Sequence, residues 1–479
     1  MRSFVQHNIR PVFDLNGAWT WAFPASGTSI STSDWRGQGE VWPVPGVWEQ
    51  MPARTAYRGE ALIGRRLQLP RAGRLRLHFG GVSHSCRVSL DGMEIGGHHN
   101  AFTGFTIDLP TVAAGEHELL LHVSNAHGEL SGLHIPNDYY NYGGISRGVQ
   151  AMLLPEASLD LLHATPVRDG DQWHLDCHIS CSGKLAGKQV HVSCAGGSWQ
   201  GPLPEDGELR CRLTCPEAET WWPGRPRLFL VEARLLNGER AIDDLIERVG
   251  FRSVRCQGQR ILLNEEPVHL LGYNRHEDHP DWGCAIPLSL MRRDLHILRD
   301  LGCNTVRTCH YPNDPLFLDC CDEMGFLVWE ENHARGQDID QMQHPRFREQ
   351  CYAVTREMLE QHHNHPCILL WGIMNECASE SEEGRAMYQE QFALIEASDP
   401  SRPTTYASCR HDNDICQDLP QVNSWNIYPL WYGDHLPLET VQGLLDRFDQ
   451  HLRNKPIIIS ECGAGAIPGV HDHFGRSRW

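Results

Sequence analysis

The stretch Ile368-Leu369-Leu370-Trp371-Gly372-Ile373-Met374-Asn375-Glu376 decides the fold of this chain. It is an apolar run that ends in a carboxylate, and Pro456-Ile457-Ile458-Ile459-Ser460-Glu461 repeats the pattern. Short apolar runs bounded by polar residues are typical of buried strands in a parallel sheet. Packing does not explain a glutamate just past such a strand, because Glu is almost never fully buried without a partner. The two glutamates together predict acid/base and nucleophile chemistry at the mouth of an α/β barrel.

Both runs belong to an alternation of strands and helices that begins near residue 256. Periodic apolar residues mark the helices, most clearly in the stripe Val441, Leu444, Leu445, Phe448 and Leu452. Seven strands are predicted, at residues 269–273, 303–308, 326–331, 367–375, 404–408, 422–428 and 456–461. Only 18 residues follow Glu461, and they hold no convincing strand. The sequence therefore predicts a (β/α)₈ TIM barrel that lacks its last strand.

The first 250 residues have the texture of β-sandwiches. Apolar and polar residues alternate at 74–79, 86–90 and 119–123, and the pair Asp91-Gly92 predicts a tight turn. The alternation returns at 173–179, 190–194 and 209–213, in a region of about 100 residues with the dimensions of an immunoglobulin-like sandwich. We therefore predict three domains: a β-sandwich at 1–152, an immunoglobulin-like sandwich at 153–252, and a catalytic barrel at 253–479.

Composition excludes several classes of protein. A formal net charge of −19 over 479 residues argues against binding to nucleic acid or to anionic lipid. No apolar run approaches the roughly 18 residues of a membrane span, and the N-terminus has no signal-peptide pattern. The 18 cysteines are scattered and include no CxxC pair, which favours reduced, buried thiols over a zinc ribbon. The predicted location is cytoplasmic.

The polar residues just past the predicted barrel strands indicate glycoside hydrolysis. This reaction needs one carboxylic acid to protonate the leaving oxygen and a second carboxylate that attacks the sugar or activates water. Glu376 and Glu461 fit this division, and Asn375 is placed to bind a sugar hydroxyl. Arg307 or Tyr428 would keep Glu461 ionised, because a nearby cation or donor lowers the pKa of a carboxylate.

Two other interpretations of these polar residues stay open. A single Glu at a strand end is more often a surface or ion-paired group. The cluster His276-Glu277-Asp278-His279 is a candidate metal site, although its histidines are three apart rather than the four of a helical HExxH.

Assembled in order, the motifs resemble glycoside hydrolase family 2, and within it the β-glucuronidases most closely. Those of the first two regions are Val44 to Trp48, Phe102 to Phe105, Asn137 to Arg147 and Gly250 to Arg252. Those of the barrel are Asn274 to Pro280, Val306 to Pro312, Trp371 to Glu376, Asn426 to Tyr432 and Ile459 to Gly463. The resemblance covers the whole chain and implies that the first β-sandwich is a sugar-binding jelly-roll.

The resemblance further implies a retaining exo-glycosidase that acts on terminal β-D-glucuronides by double displacement. Glu376 matches the acid/base and Glu461 the nucleophile that forms the glycosyl-enzyme intermediate. The implied sugar contacts are Asp138, His310, Asn375, Tyr428 and Tyr432, with Arg307 and Asn426 in support. The expected partner is a small-molecule or oligosaccharide β-glycoside, with no metal or cofactor, and a homo-oligomer is a family-level expectation.

Two departures from the family pattern keep alternatives open. Cys462 stands where the family usually has Tyr or Phe. The chain also ends before the Asn-x-Lys pair with which glucuronidases hold the sugar carboxylate. A β-galactosidase of the same family is therefore one alternative, and an inactive carbohydrate-binding remnant is another.

Overall fold

The computed structural model describes residues 2–24, 30, 35, 39–429, 431, 438–451 and 454–463. Two all-β regions precede a region in which strands and helices alternate, as the sequence predicts. No helix in the described ranges is both long and apolar enough to cross a membrane.

The first region is a β-sandwich around one apolar core. Its larger sheets have the strand orders β1-β13-β6-β10 and β3-β2-β5-β11-β8-β9, and β4-β12-β7 form a small third sheet. Leu75, Leu77 and Phe79 of β6 alternate with less buried polar residues and lie in the core. The strands are β1 Val12–Asp14, β2 Gly17–Ala22, β3 Glu40–Val44, β4 Gly46–Val47, β5 Glu60–Leu69, β6 Gly73–Phe79, β7 Val82–Ser83, β8 Ser85–Leu90, β9 Met93–His99, β10 Phe105–Val112, β11 Gly115–Ser124, β12 Gly144–Ile145 and β13 Val149–Leu154.

The second region is a smaller sandwich of two antiparallel sheets. They have the orders β14-β15-β18 and β17-β16-β19-β20 and enclose their own apolar core. The strands are β14 Ala157–Asp169, β15 Gln172–Gly183, β16 Lys188–Cys194, β17 Gly197–Pro202, β18 Glu208–Thr214, β19 Phe229–Asn237 and β20 Arg240–Val249. The predicted boundary positions, 152/153 and 252/253, remain predictions; the second lies between β20 and the next strand.

The third region is a parallel sheet with the order β24-β25-β26-β27-β28-β29-β30, flanked by helices. All seven strands overlap predicted ones, β24 by only two residues, and the inner strands are buried throughout, as expected of a covered parallel sheet. The strands are β21 Val254–Gln257, β22 Arg260–Leu263, β23 Glu266–Pro267, β24 Gly272–Asn274, β25 Thr305–Thr308, β26 Leu327–Glu331, β27 Ile368–Ile373, β28 Thr404–Ser408, β29 Asn423–Asn426 and β30 Ile457–Glu461. The helices are α1 Leu288–Asp300, α2 Pro315–Met324, α3 Ile339–Met342, α4 Phe347–His362, α5 Glu382–Ser398 and α6 Leu438–His451.

The first and last strands of this sheet are joined by a side chain. The Asn274 amide on β24 donates a hydrogen bond of 2.9 Å to the carbonyl of Ser460 on β30. Tyr273 and Ile459 on the same two strands are 58% and 39% exposed. The contact therefore holds the two edge strands together at the level of the predicted nucleophile, Glu461.

A group of imidazoles fills the joint between the first sandwich and the barrel. We call it the histidine cluster; its members are His84, His99, His127, His134 and His333. His134 stacks on His84 with ring centroids 4.5 Å apart and lies 4.6 Å from His333. Neither ring nitrogen of His333 has a hydrogen-bond partner among the described residues. Burial lowers the pKa of both His84 and His333 to about 3, so their rings are neutral near pH 7.

The N-terminal residues connect the other two regions. Arg2 forms ion pairs with Glu247 of the second sandwich (3.0 Å) and with the buried Asp319 of α2 (2.9 Å). Arg248 reaches the same Asp319 carboxylate at 3.2 Å. Arg2 belongs to the predicted domain 1–152, but its ion pairs join the second sandwich to the barrel.

Candidate active site

A cleft of about 1060 Å³ lies at the carboxyl ends of the parallel strands, where a barrel places its active site. Both sandwich-borne and barrel-borne residues line it: Arg58, Asn137, Asp138, Tyr139, Tyr140, Asn274, His276, Asp278, Cys309, His310, Arg335, Glu376, Cys409, His411, Asp412, Asn426, Tyr428 and Glu461. Residues 137–140, which begin the Asn137 to Arg147 motif, are part of this lining.

Glu461 ends β30 and is held in its charged form by three neighbours. Arg307 donates to Oε1 at 2.8 Å, and the Tyr428 hydroxyl donates to Oε2 at 2.6 Å. Nε2 of His310 lies 3.8 Å from Oε1. Burial alone would raise the pKa of Glu461, but Arg307, His310 and Tyr428 outweigh it, so the pKa is lowered. The predicted pairing of Arg307 and Tyr428 with Glu461 is therefore present.

Arg307 on β25 connects the polar groups of the cleft floor. It binds Glu331 with two nitrogens, at 3.0 and 2.9 Å, in the planar geometry that suits a carboxylate. Its Nη2 also donates to the side-chain oxygen of Asn375 at 2.7 Å. With Glu461, the guanidinium thus fixes groups from strands β26, β27 and β30.

Glu376 follows β27 on a tight, left-handed turn. Met374 and Glu376 have φ of 43° and 53°, a conformation that favours glycine. The turn is anchored because Asn332 accepts from the Met374 amide at 3.0 Å and the Glu376 amide donates to the Ala407 carbonyl at 2.9 Å. The Asn426 amide donates to Oε1 of Glu376 at 2.8 Å. These contacts turn the Glu376 carboxylate out of the sheet and into the cleft.

The two glutamates are connected through a short chain of side chains. Asn426 contacts Glu376, and it also donates to Asn375 at 3.3 Å. Asn375 accepts from Arg307, which binds Glu461. In the sheet, Asn426 and Glu461 are register partners on adjacent strands. The two predicted catalytic carboxylates therefore share one cleft and one polar network.

Solved structures place this arrangement in a known family. A β-galacturonidase of glycoside hydrolase family 2 from Eisenbergiella tayi, solved bound to galacturonate, has a TM-score of 0.91 and is 42% identical, over 98% of this chain and 85% of that one. The chain belongs to glycoside hydrolase family 2. The family model for the TIM barrel domain of glycosyl hydrolases family 2 matches residues 254–476.

Other members of family 2 that resemble the chain are β-glucuronidases. The enzyme from Ruminococcus gnavus has a TM-score of 0.88 and 25% identity, over 98% of this chain and 86% of that one. The rat β-glucuronidase is 30% identical over 70% of this chain and 53% of its own length. The chain thus spans about half the length of this curated relative.

Most of the predicted sugar contacts of the family pattern lie in or beside the cleft. Asp138, His310 and Tyr428 line it. Asn375 is fully buried next to it, and its amide nitrogen has no hydrogen-bond partner among the described residues. Tyr432 lies outside the described residues.

Sequence reasoning missed Arg335. It lies in the loop after β26, lines the cleft, and pairs with Asp138 of the first sandwich at 2.6 Å. A backbone bridge to Asn375 holds it beside the turn that carries Met374 and Glu376. The position of Arg335 shortly past a barrel strand could have indicated a cleft residue. Its partner Asp138, however, is almost 200 residues away in sequence.

The metal hypothesis for His276 and His279 needs revision. Among the described residues, His276 groups with Cys309 and His310, and not with His279. A second group of possible ligands, Asp322, His365 and Cys367, is fully buried behind the sheet.

Proposed function

We propose that the chain is a retaining exo-glycosidase that hydrolyses terminal β-uronides, with Glu461 as nucleophile and Glu376 as acid/base. The observation that carries the proposal is the pair of carboxylates in one cleft, of which Glu461 is held charged by Arg307 and Tyr428. A nucleophile must be charged when the substrate arrives, so these contacts suit Glu461 to that role.

Double displacement assigns each carboxylate two steps. In the first, a carboxylate oxygen of Glu461 bonds to the anomeric carbon while the glycosidic C–O bond breaks, and Glu376 gives its proton to the departing oxygen. In the second, Glu376 takes a proton from water, whose oxygen bonds to the anomeric carbon and releases Glu461. The anomeric configuration is inverted twice and so retained.

The neighbours of the carboxylates supply the remaining requirements. The Asn375 amide nitrogen has no hydrogen-bond partner among the described residues, and we assign it to the hydroxyl next to the anomeric carbon. Arg307 pairs with the charged Glu461 before attack, and it pairs with the carboxylate again when the glycosyl bond breaks. Because Glu331 holds Arg307 with two bonds, the guanidinium needs no rearrangement during the reaction.

A uronide carries a carboxylate that needs a cation or several donors. Two arginines, Arg58 and Arg335, line the cleft. Arg335 is the better candidate, because its Nε is buried without a hydrogen-bond partner among the described residues. We assign it to the sugar carboxylate, the group that the Asn-x-Lys pair holds in the glucuronidases that the sequence resembles.

Two uronides compete as the preferred substrate. The β-glucuronidase relatives support a glucuronide, which is the prediction from the sequence motifs. The galacturonidase from Eisenbergiella tayi has the higher identity, 42% against 30% for the rat enzyme, and supports a galacturonide. The two sugars differ only in the orientation of the 4-hydroxyl, so the choice depends on contacts around that position.

The test is a panel of aryl β-glucuronide, β-galacturonide and β-galactoside. We expect release of the aryl group from at least one uronide, with the β-anomer of the free sugar as first product by NMR. Glu461→Gln should abolish turnover, and Glu376→Gln should lower it about 10²- to 10⁴-fold, least for the best leaving groups.

Other outcomes of the panel separate the alternatives. Turnover of the galactoside alone would favour the β-galactosidase. Sugar binding without turnover of any glycoside would favour the carbohydrate-binding remnant. Activity unaffected by Glu461→Gln would refute the assignment of the nucleophile.

A further inference from the structure

Three metal-ligating side chains from two different strand ends meet on one wall of the cleft. The ligand atoms of His276, Cys309 and His310 all lie within 4.8 Å of one another. His276 follows β24, and the other two follow β25. All three residues line the cleft, so a small ion can reach them from solvent.

Both histidines are oriented by contacts through Nδ1. Nδ1 of His310 is 2.8 Å from the carboxylate of Glu331, which Arg307 fixes in turn. Nδ1 of His276 is 3.2 Å from the hydroxyl of Tyr311. Histidine ligands of metals commonly donate their second ring nitrogen to a carboxylate in this way, which leaves Nε2 to bind the ion. The His310–Glu331 pair has this geometry.

We propose that His276, Cys309 and His310 form a binding site for a thiophilic divalent cation such as Zn²⁺, and that the bound ion excludes the sugar. Two imidazole nitrogens and one thiolate make a donor set that suits Zn²⁺. The Cys309 thiol loses its proton to solvent when the ion binds.

Glu461 lies next to one of the three candidate ligands. Nε2 of His310 is 3.8 Å from Oε1 of Glu461, so the carboxylate or a water molecule completes the coordination. Zn²⁺ with ligands at about 2.0–2.3 Å requires donors about 3.3–3.7 Å apart. Because the ligand atoms lie at most 4.8 Å apart, the ion would draw them together by no more than about 1.5 Å.

An ion in this position occupies space that the sugar needs. His310 is a predicted sugar contact, and Glu461 is the proposed nucleophile. The site is therefore inhibitory and not a cofactor site. The competition with sugar rests on the proposed function, whereas the binding of the ion does not.

We do not propose a metal site at the second group of possible ligands, Asp322, His365 and Cys367. Nδ1 of His365 is 2.6 Å from Asp322, and the same carboxylate accepts from the Cys367 amide at 2.9 Å. All three residues are fully buried, so an ion has no path to them.

The test uses Co²⁺ as a spectroscopic probe, because a Co²⁺–thiolate bond gives a charge-transfer band that does not depend on turnover. The 479-residue chain should develop this band on titration, and Zn²⁺ should remove it at one equivalent. Cys309→Ser should abolish the band, and His276→Gln should weaken binding at least about tenfold. Far-ultraviolet circular dichroism and a thermal melt show that each variant is folded.

Cys409→Ser is the matched control. Cys409 lines the same cleft, and it is not part of the three-residue group. The Cys409→Ser protein should keep the band. A wild-type protein without the band, or a Cys309→Ser protein that retains it, would overturn the proposal.

Competition is measured separately. Galacturonate or glucuronate should reduce the Co²⁺ band, and Zn²⁺ should raise KM for an active aryl uronide while leaving kcat unchanged. A Co²⁺ band in a protein that hydrolyses no glycoside would refute the proposed function and leave the metal site standing. Hydrolysis of a glycoside by a protein without the Co²⁺ band would refute the metal site and leave the proposed function standing. Zn²⁺ that lowers kcat at constant KM would refute the competition.

Discussion

Replacing His333 with phenylalanine is expected to make the protein less sensitive to acid. His333 is only 2% exposed, and its two ring nitrogens have no hydrogen-bond partner among the described residues. Its ring contacts Phe102 and His134, with centroids 5.1 and 4.6 Å away. A phenyl ring preserves these ring contacts and removes two buried polar atoms.

The magnitude follows from the difference between the folded and unfolded states. Burial, with smaller contributions from His99 and His84, lowers the pKa of His333 from 6.5 to about 3. The unfolded chain therefore binds a proton at this residue below pH 6.5, whereas the folded chain does so only near pH 3. Stability is lost as the pH falls through this window, by about 1.4 kcal/mol for each pH unit. Between pH 7 and pH 5, His333 accounts for about 2 kcal/mol.

Between pH 7 and pH 5, the change in stability comes mainly from histidines and only slightly from carboxylates. Carboxylates with a lowered pKa, such as Asp319 at about 2, contribute stability that is lost mainly below pH 5. The other members of the histidine cluster keep their own acid sensitivity. The variant should therefore still lose stability between pH 7 and pH 5, but about 2 kcal/mol less than the wild type.

The assay is urea unfolding at pH 7 and pH 5, followed by tryptophan fluorescence. The control is His296→Phe on the exposed face of α1, which should leave the pH dependence unchanged. If His333→Phe loses as much unfolding free energy between the two pH values as the wild type, the reasoning is refuted.

Four further predictions concern other parts of the molecule. Tyr428→Phe removes a donor from Glu461 (2.6 Å) and should move the acid limb of the kcat/KM profile to higher pH, whereas an unmoved limb would contradict the role of the hydroxyl. Arg2→Ala removes one partner of the buried Asp319 carboxylate and should lower the free energy of unfolding, measured by urea titration, by about 3 kcal/mol. An unchanged free energy would contradict a stabilising role of Arg2. Gly325→Ala should lower the melting temperature, because φ is +73° and a Cβ would meet the Pro223 carbonyl oxygen at 2.0 Å. Dithiothreitol should leave the melting temperature unchanged, because all 18 cysteines are free, and a shift would reveal a disulfide.

The parts of the fold and site that the sequence predicts are those with a local signal. Strands β27 and β30 are short apolar runs, and Glu376 and Glu461 are conspicuous because they end such runs. Arg307 and Tyr428 were paired correctly with Glu461 because side chains past neighbouring parallel strands meet at one edge of the sheet. Periodicity and strand order thus carry most of the geometry of the site.

The parts that the sequence does not predict depend on contacts between distant segments. The histidine cluster combines residues 84 to 134 of the first sandwich with His333 of the barrel, and no spacing rule connects them. Arg335 meets Asp138 across the same joint. Arg2 pairs with Asp319, which is more than 300 residues away in sequence. Such pairs depend on how the domains dock, and no local pattern records that.

The left-handed turn at Met374 and Glu376 has a consequence for the history of this protein. Each such residue costs about 1–3 kcal/mol relative to a relaxed backbone, and glycine would relieve much of that strain. A lineage that stopped using the enzyme would therefore gain stability by replacing Glu376 with glycine. With Glu376 as the proposed acid/base, a descendant that keeps glutamate here is still under selection for glycoside hydrolysis. A descendant with glycine here is no longer under that selection.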